Sequence, residues 1–245
     1  IEIIHHPITK DYKHELQTSN KILYRLSRYR WYSFLGMQKK VAPQIKRIIT
    51  PSKNSQKDIS IDFKCNPNNI SVIHNGLDID KFIPYKNIER LPHRLITTAS
   101  ADVPLKGLDF TLKAISKLKR NYVNIELIII GKLKDDGHTS RLIKSLQIED
   151  IVHFKTNLTK EDIAMEYAKS SIAIVSSLYE GFGYPVIEAM SCGVPLIAAN
   201  TSSIPELVGD FASLVPPKDV SALVNSIEQI ANNYEQYEKV ADEGR

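Results

Sequence analysis

The stretch SIAIVSSLYEGFGYPVIEAMSCGVPLIAA, residues 171–199, carries the reading of the fold. SIAIVSS (171–177) is short, apolar and partly β-branched, as expected of a strand covered on both faces. A bend containing Gly181 and Gly183 follows, and Pro185 suits the first position of a helix because its missing N–H costs nothing there. The helical pattern PVIEAMSC stops at Gly193, Pro195 prevents its continuation, and PLIAA (195–199) is a second apolar run. Strand, bend, helix and strand in this order make one β-α-β unit.

The unit repeats from residue 94 onward. LITTAS (95–100), IELIII (125–130), VHFKT (152–156) and FASLV (211–215) read as further buried strands. Between them, GLDFTLKAISKLKRNY, HTSRLIKSLQI and TKEDIAMEYAKS space their apolar residues as helices do. Thr159 with Asp162 suggests a capping box, and a terminal helix is expected over about Val220–Ala241. Repeated β-α units imply a Rossmann-like, mostly parallel sheet with helices on both faces. Residues 75–245 are assigned to this domain.

Residues 1–74 read as a smaller α/β piece. It offers a strand IEIIHH, a basic helical stretch, a strand RIIT, a helix over about Ser52–Lys64 that Ser52 caps, and a strand ISVIH (70–74). Three strands make a poor domain alone, and the chain opens inside an apolar strand without a methionine. The expectation is therefore an incomplete α/β domain, the tail of a first domain, followed by a complete second one.

With 42% hydrophobic and 24% charged residues, the 245-residue chain has the composition of a globular protein with a substantial core. No apolar run approaches the roughly 20 residues that span a bilayer. The start, IEIIHHPITKDYKHEL, has neither the basic region nor the cleavage site of a signal peptide. Cys65 and Cys192 lie far apart and lack partners at metal-ligand spacing, so free thiols in a reducing cytoplasm are expected, and no metal. The net charge of +4 is uneven. Residues 10–47 hold ten Lys/Arg against Asp11 and Glu15, along with Tyr24, Tyr29, Trp31, Tyr32 and Phe34. This stretch reads as a solvated or packed helix face, with peripheral contact to anionic headgroups on the inner membrane face as the sharper alternative. No nucleic-acid-binding signature accompanies it.

Ligands of open parallel sheets sit beyond the carboxyl ends of the strands, and the strand ending near Ser177 delivers residues 178–184 there. Gly181 and Gly183 let backbone amides approach a ligand, and the helix from Pro185 aims its positive end at the crevice, suiting phosphate. Glu188, expected in the first helical turn, and Glu180, just before the bend, would face uncharged parts of the ligand. A carboxylate accepts two hydroxyl donors at once, as a sugar diol supplies. Phosphate between two diols describes a nucleotide-sugar; the spacing alone equally suits a helix whose first turn has an acid for dipole reasons, with Glu180 an exposed loop residue.

The segment EGFGYPVIE resembles the E-x7-E signature of retaining glycosyltransferases with the two-domain GT-B fold, of the family 4 type. ISVIHNGLDIDKF, PLKGLDFTLKAI and AMSCGVPLIAANTSSIPELVGDFASLVPPKD are similar to that family's other ordered segments, over about residues 70–225. The resemblance implies transfer of a sugar from a nucleoside diphosphate to an acceptor hydroxyl, with configuration retained. It implies that Glu188 holds the ribose, that Glu180 contacts the sugar near its anomeric carbon, and that Gly181 and the amides of Phe182, Gly183 and Tyr184 serve sugar and diphosphate. Lys106, beside Gly107, would neutralise the diphosphate without a metal. Many relatives carry an arginine where this chain has Ala101, followed by Asp102; Lys132 is the candidate for a second cation. His5, with His6 as its alternative, would line the crevice near the transferred sugar. A lipid-linked or cell-envelope glycan is the expected acceptor. A nucleotide-sugar epimerase, a phosphorylase and a non-catalytic nucleotide-binding domain are the alternatives on the same plan.

Overall fold

The computed structural model describes residues 2–5, 26, 29–30, 32–85, 87–122 and 124–245. The chain divides into two compact units, residues 1–76 with 179–182, and residues 77–178 with 183–245. The bend Tyr179–Phe182 thus goes with the first unit, although both of its flanks belong to the second.

In the first unit, strands β1 (Glu2–Ile3), β2 (Ile48–Thr50) and β3 (Ile70–Val72) form a parallel sheet in that order. Helix α1 spans Leu35–Val41 and α2 spans Lys53–Phe63. Ser52 caps α2 as expected, its hydroxyl accepting from the Ser55 amide at 3.0 Å, and Lys64 ends the helix in the left-handed region at φ 57°. Ile59 and Phe63 of α2 pack on Ile48 and Ile70 of the sheet in a small core completed by Ala42 and Cys65. Of the basic stretch 10–47, residues 10–25, 27–28 and 31 lie outside the described residues, as does His6.

The second unit holds six parallel strands: β4 (Leu91–Thr98), β5 (Glu126–Ile130), β6 (Val152–Lys155), β7 (Ser170–Val175), β8 (Leu196–Ala199) and β9 (Ser213–Val215). Their order is β6-β5-β4-β7-β8-β9. Helices α3 (Leu108–Leu118), α4 (His138–Leu146), α5 (Lys160–Lys169), α6 (Tyr184–Ser191), α7 (Ile204–Val208), α8 (Val220–Asn232) and α9 (Tyr234–Glu243) complete it. Strand side chains alternate between two cores. Leu95, Leu127, Ile129, Ile172 and Ile174 meet Leu112, Ile115 and Ile227 of α3 and α8. Ile96, Ile128, Ala173 and Val175 meet Ala164, Val186 and Ile204 of α5, α6 and α7. Covering both faces is why the strands read as unbroken apolar runs.

The GT-B type α/β architecture expected from the sequence is present, with parallel sheets and helices on both faces. The capping box of α5 is complete: the Thr159 hydroxyl accepts from the Asp162 amide, and the Asp162 carboxylate from the Thr159 amide. The expected single terminal helix is instead two. Asn233 sits at φ −130° between α8 and α9, and its side-chain amide donates to the Gln229 carbonyl at 3.0 Å, competing with the helical ladder.

Strand β4 has β5 on one side and β7 on the other, so connections leaving β4 and β7 diverge there. A sheet of this order binds ligands at such a switch point, outside the carboxyl ends of the strands.

Candidate functional site

Two connections of the second unit meet at the switch point. After β4 the chain makes a 3-10 turn over Pro104–Lys106, and Gly107, at φ 64°, starts α3. After β7 it runs through Ser176 to Leu178. The two are stitched together: the Ser176 hydroxyl donates to the Gly107 carbonyl at 3.0 Å and the Leu178 amide to the Leu105 carbonyl at 2.7 Å. Thr111 supplies the other partner of that hydroxyl at 2.8 Å. A Cβ at Gly107 would stand 1.9 Å from the Ser176 carbonyl oxygen, so the approach requires glycine. Lys106, half-buried, is thereby held on a turn anchored to the strand end.

Helix α6 opens from Gly183, at φ 117°. It starts at Tyr184, one residue earlier than expected, so Pro185 is its second residue and Glu188 falls in the second turn, with no acid in the first. The physical reason is that Gly183 reaches a backbone conformation that lets its carbonyl accept the amides of both Val186 and Ile187, at 3.0 and 3.4 Å. The inner amides of the first turn, those of Val186 and Ile187, are committed to that carbonyl.

Glu188 is half-buried, and burial raises its pKa above the usual carboxylate value. Tyr167, Lys106 and Lys160 oppose that rise, the first by a hydrogen bond and the lysines by their charge. Lys106 and Glu188 are thus brought within electrostatic reach of one another. Tyr167, on α5, is a participant that sequence reading did not single out. Its buried hydroxyl lies 3.0 Å from the Thr98 hydroxyl and faces Glu188. The available signal was a tyrosine on an apolar helical face, since a buried phenol needs a polar partner.

Ala101 is buried. Asp102 faces the start of α4: its carboxylate accepts from the Thr139 amide at 2.8 Å, and its own amide donates to the Thr139 hydroxyl at 3.1 Å. A Cβ on Gly137 would lie 2.1 Å from that carboxylate. Asp102 therefore caps a neighbouring helix across 37 positions of sequence. Lys132 is exposed after β5, one strand away from the switch point, and Tyr184 is exposed. The sequence also contains an Asp-x-Asp at Asp78 and Asp80. Asp78 lies 3.5 Å from the Lys160 ammonium, and its carbonyl accepts the Lys81 and Phe82 amides.

The remaining predicted residues lie in the first unit. Glu180 is buried within the bend, between anchored neighbours. The Tyr179 hydroxyl donates to Asp58 at 2.8 Å, and the Gly181 carbonyl accepts from the hydroxyls of Ser52 and Ser55 at 2.7 and 3.0 Å. Phe182 is buried with its ring centroid 6.1 Å from that of His74. His5 is exposed in a bend two residues after β1.

Known proteins resemble this chain in sequence and in fold. The family description "Glycosyl transferases group 1" matches residues 81–245. An MMP alpha-(1->4)-mannosyltransferase of Mycolicibacterium hassiacum is 38% identical over 248 aligned residues, covering 100% of this chain and 59% of that protein. An O-antigen chain mannosyltransferase B of Escherichia coli is 46% identical over 36% of the chain and 23% of its own length. Among solved structures, a sucrose-phosphate synthase of Thermosynechococcus elongatus superimposes with a TM-score of 0.78 at 21% identity, over 99% of this chain and 61% of that one. Anabaena HepE, solved in complex with UDP and glucose, gives 0.76 at 21% identity, over 99% and 64%. The chain thus spans less than two thirds of the length of these relatives. A match over residues 81–245, joined to an alignment with a named transferase along the entire chain, places this chain in the group 1 glycosyl transferases.

Proposed function

We propose that the protein is a retaining, nucleotide-sugar-dependent glycosyltransferase of the family 4 type, and that its second unit binds the donor. The observation that carries this reading is the Lys106–Gly107 turn, pinned to the end of β7 beside a half-buried Glu188 whose charge Lys106 partly balances. A carboxylate held in a place that penalises charge needs donors, and ribose hydroxyls supply them. The diphosphate takes Lys106 and the amides of Gly183 and Tyr184, the Phe182 amide serves the sugar, and Lys132 is an outer cation. Glu180 orients sugar hydroxyls, and His5 lies on the acceptor side.

In the transfer step the bond from the anomeric carbon to the diphosphate oxygen breaks, and a bond to the acceptor oxygen forms as that hydroxyl passes its proton to the departing diphosphate oxygen. Negative charge develops on the diphosphate, where preorganised donors act most strongly. Lys106 and the amides fill that role without a metal. Relatives named as mannosyltransferases support a nucleoside-diphosphate mannose as the donor to test first. The acceptor is a lipid-linked or cell-envelope glycan, consistent with the excess of positive charge in residues 10–47 and with peripheral placement on the cytoplasmic face of a membrane. No described helix is long and apolar enough to cross one.

Calorimetric titration with a panel of nucleoside diphosphates and their sugars tests the reading. Binding of one nucleoside diphosphate, undiminished by EDTA, and a transferred sugar of retained configuration are the expected results. Failure of every nucleoside diphosphate to bind overturns it.

A further inference from the structure

The bend that carries Glu180 is fastened at both of its sides to a single helix of the first unit. On the side before the acid, the Tyr179 hydroxyl donates to Asp58, which also accepts from the Asn54 side chain at 3.0 Å. On the side after it, the Gly181 carbonyl takes two hydroxyl donors from the first turn of α2, Ser52 at 2.7 Å and Ser55 at 3.0 Å. Two donors occupy both lone pairs of one carbonyl, and the positive end of α2 favours that oxygen further. Ser52 and Ser55 are buried and Gly181 is half-buried, which limits the access of competing water to these bonds. Capping α2 does not need Ser55's hydroxyl: the cap uses Ser52's oxygen and Ser55's amide.

We propose that Ser52 and Ser55 are positioning residues for Glu180, setting its carboxylate by clamping the next peptide, while nucleotide affinity is left to Lys106 and Glu188 on the second unit. This rests on the donor role given to Glu180 above. The two pinned neighbours leave the Glu180 backbone little freedom to rotate. Release of the Gly181 carbonyl frees the Gly181–Phe182 peptide plane and with it the direction of the acid. Misplacement of a positioned group by about 1 Å can cost on the order of a hundredfold in rate.

The test uses the intact protein and the Ser55→Ala variant, which keeps the α2 cap, with Ser52→Ala/Ser55→Ala as the stronger form. Amide exchange of residues 180–183 is expected to rise at least about tenfold in Ser55→Ala with the melting temperature nearly unchanged, since one hydrogen bond contributes about 1 kcal/mol. The kcat for transfer is expected to fall on the order of tenfold to a hundredfold, with nucleoside diphosphate affinity kept within about twofold. Unchanged exchange at 180–183, unchanged kcat, or a parallel loss of nucleotide affinity each overturns the clamp. If Ser52→Ala/Ser55→Ala does not fold, Ser55→Ala alone decides. A wild-type protein that binds no nucleoside diphosphate refutes the proposed function instead, and the exchange measurement still judges the clamp.

Discussion

The Ser176 hydroxyl donates to the Gly107 carbonyl at 3.0 Å, while the Ser176 carbonyl oxygen occupies the space where a Cβ on Gly107 would stand, 1.9 Å away. One residue thus both fastens the lysine turn and forbids it a side chain. At φ 64° an L-residue is also strained, by about 1–3 kcal/mol. Gly107→Ala is expected to lower stability by at least that much, measured by denaturant titration, and to weaken nucleoside diphosphate binding because Lys106 moves with the turn. A variant as stable as wild type, with unaltered binding, contradicts the close packing.

Glu188 carries a stability cost at neutral pH. Its pKa in the folded chain lies above 4.5, so the ionised form costs stability at neutral pH, and that cost disappears below 4.5, where folded and unfolded forms are both protonated. Glu188→Gln is therefore expected to melt higher than wild type at neutral pH, with the gain shrinking as the pH falls towards 4.5. The same variant is expected to bind nucleotide about tenfold or more weakly, since bonds to a charged acceptor contribute about 1.5–3 kcal/mol. Scanning calorimetry across pH and isothermal titration read the two effects; a lower melting temperature at neutral pH is the contrary result.

The buried pair Arg94 and Glu166 works in the opposite sense. Burial pushes the Glu166 carboxyl up, but Lys155 at 2.7 Å, Arg94 at 2.7 Å and Lys169 at 3.8 Å outweigh it and hold the carboxyl below 4.5. Its contribution is present above 4.5 and is lost as pH falls through the lowered value. Glu166→Gln is expected to destabilise the chain at neutral pH by about 1.5–3 kcal/mol, the loss of hydrogen bonds to a charged group, since Arg94 keeps Glu126 at 3.1 Å. The deficit closes in acid. A constant deficit at every pH would assign the effect to packing.

Both thiols are expected to be inert in the folded chain. Cys192 is buried against α5, α6 and β8, and burial pushes its pKa up to about 12, with Arg90 opposing and Glu188 adding to the shift. Burial raises Cys65 as well. Labelling with an aromatic disulfide at mildly alkaline pH is expected to proceed only as fast as the protein opens. Rapid native-state labelling of either cysteine contradicts this burial.

Much of the molecule was legible along the chain because its determinants are local. Apolar runs of strand length alternate with helical spacing, and that pattern alone implies the doubly covered parallel sheet. Ser52 and the Thr159–Asp162 box act within three residues of themselves, so their caps could be read directly. The bend at 178–184 announced itself by its glycines and proline. The break at Asn233 was missed because the periodic pattern continues across it, while a side chain bonding back to Gln229 interrupts the ladder.

What the amino-acid order determined by itself was the alternation of elements, the place of the glycine bend and the residue types gathered near it. Tertiary structure alone decided which partners those residues have. Asp102, an acid just before the Lys106–Gly107 turn in sequence, is turned onto Thr139, and Tyr167 is brought to Glu188 from another helix. The bend holding Glu180 is clamped by serines more than a hundred positions away. The physical reason is range: propensity and capping depend on neighbours along the chain, whereas a hydrogen bond between distant residues exists only once packed layers bring them within about 3 Å.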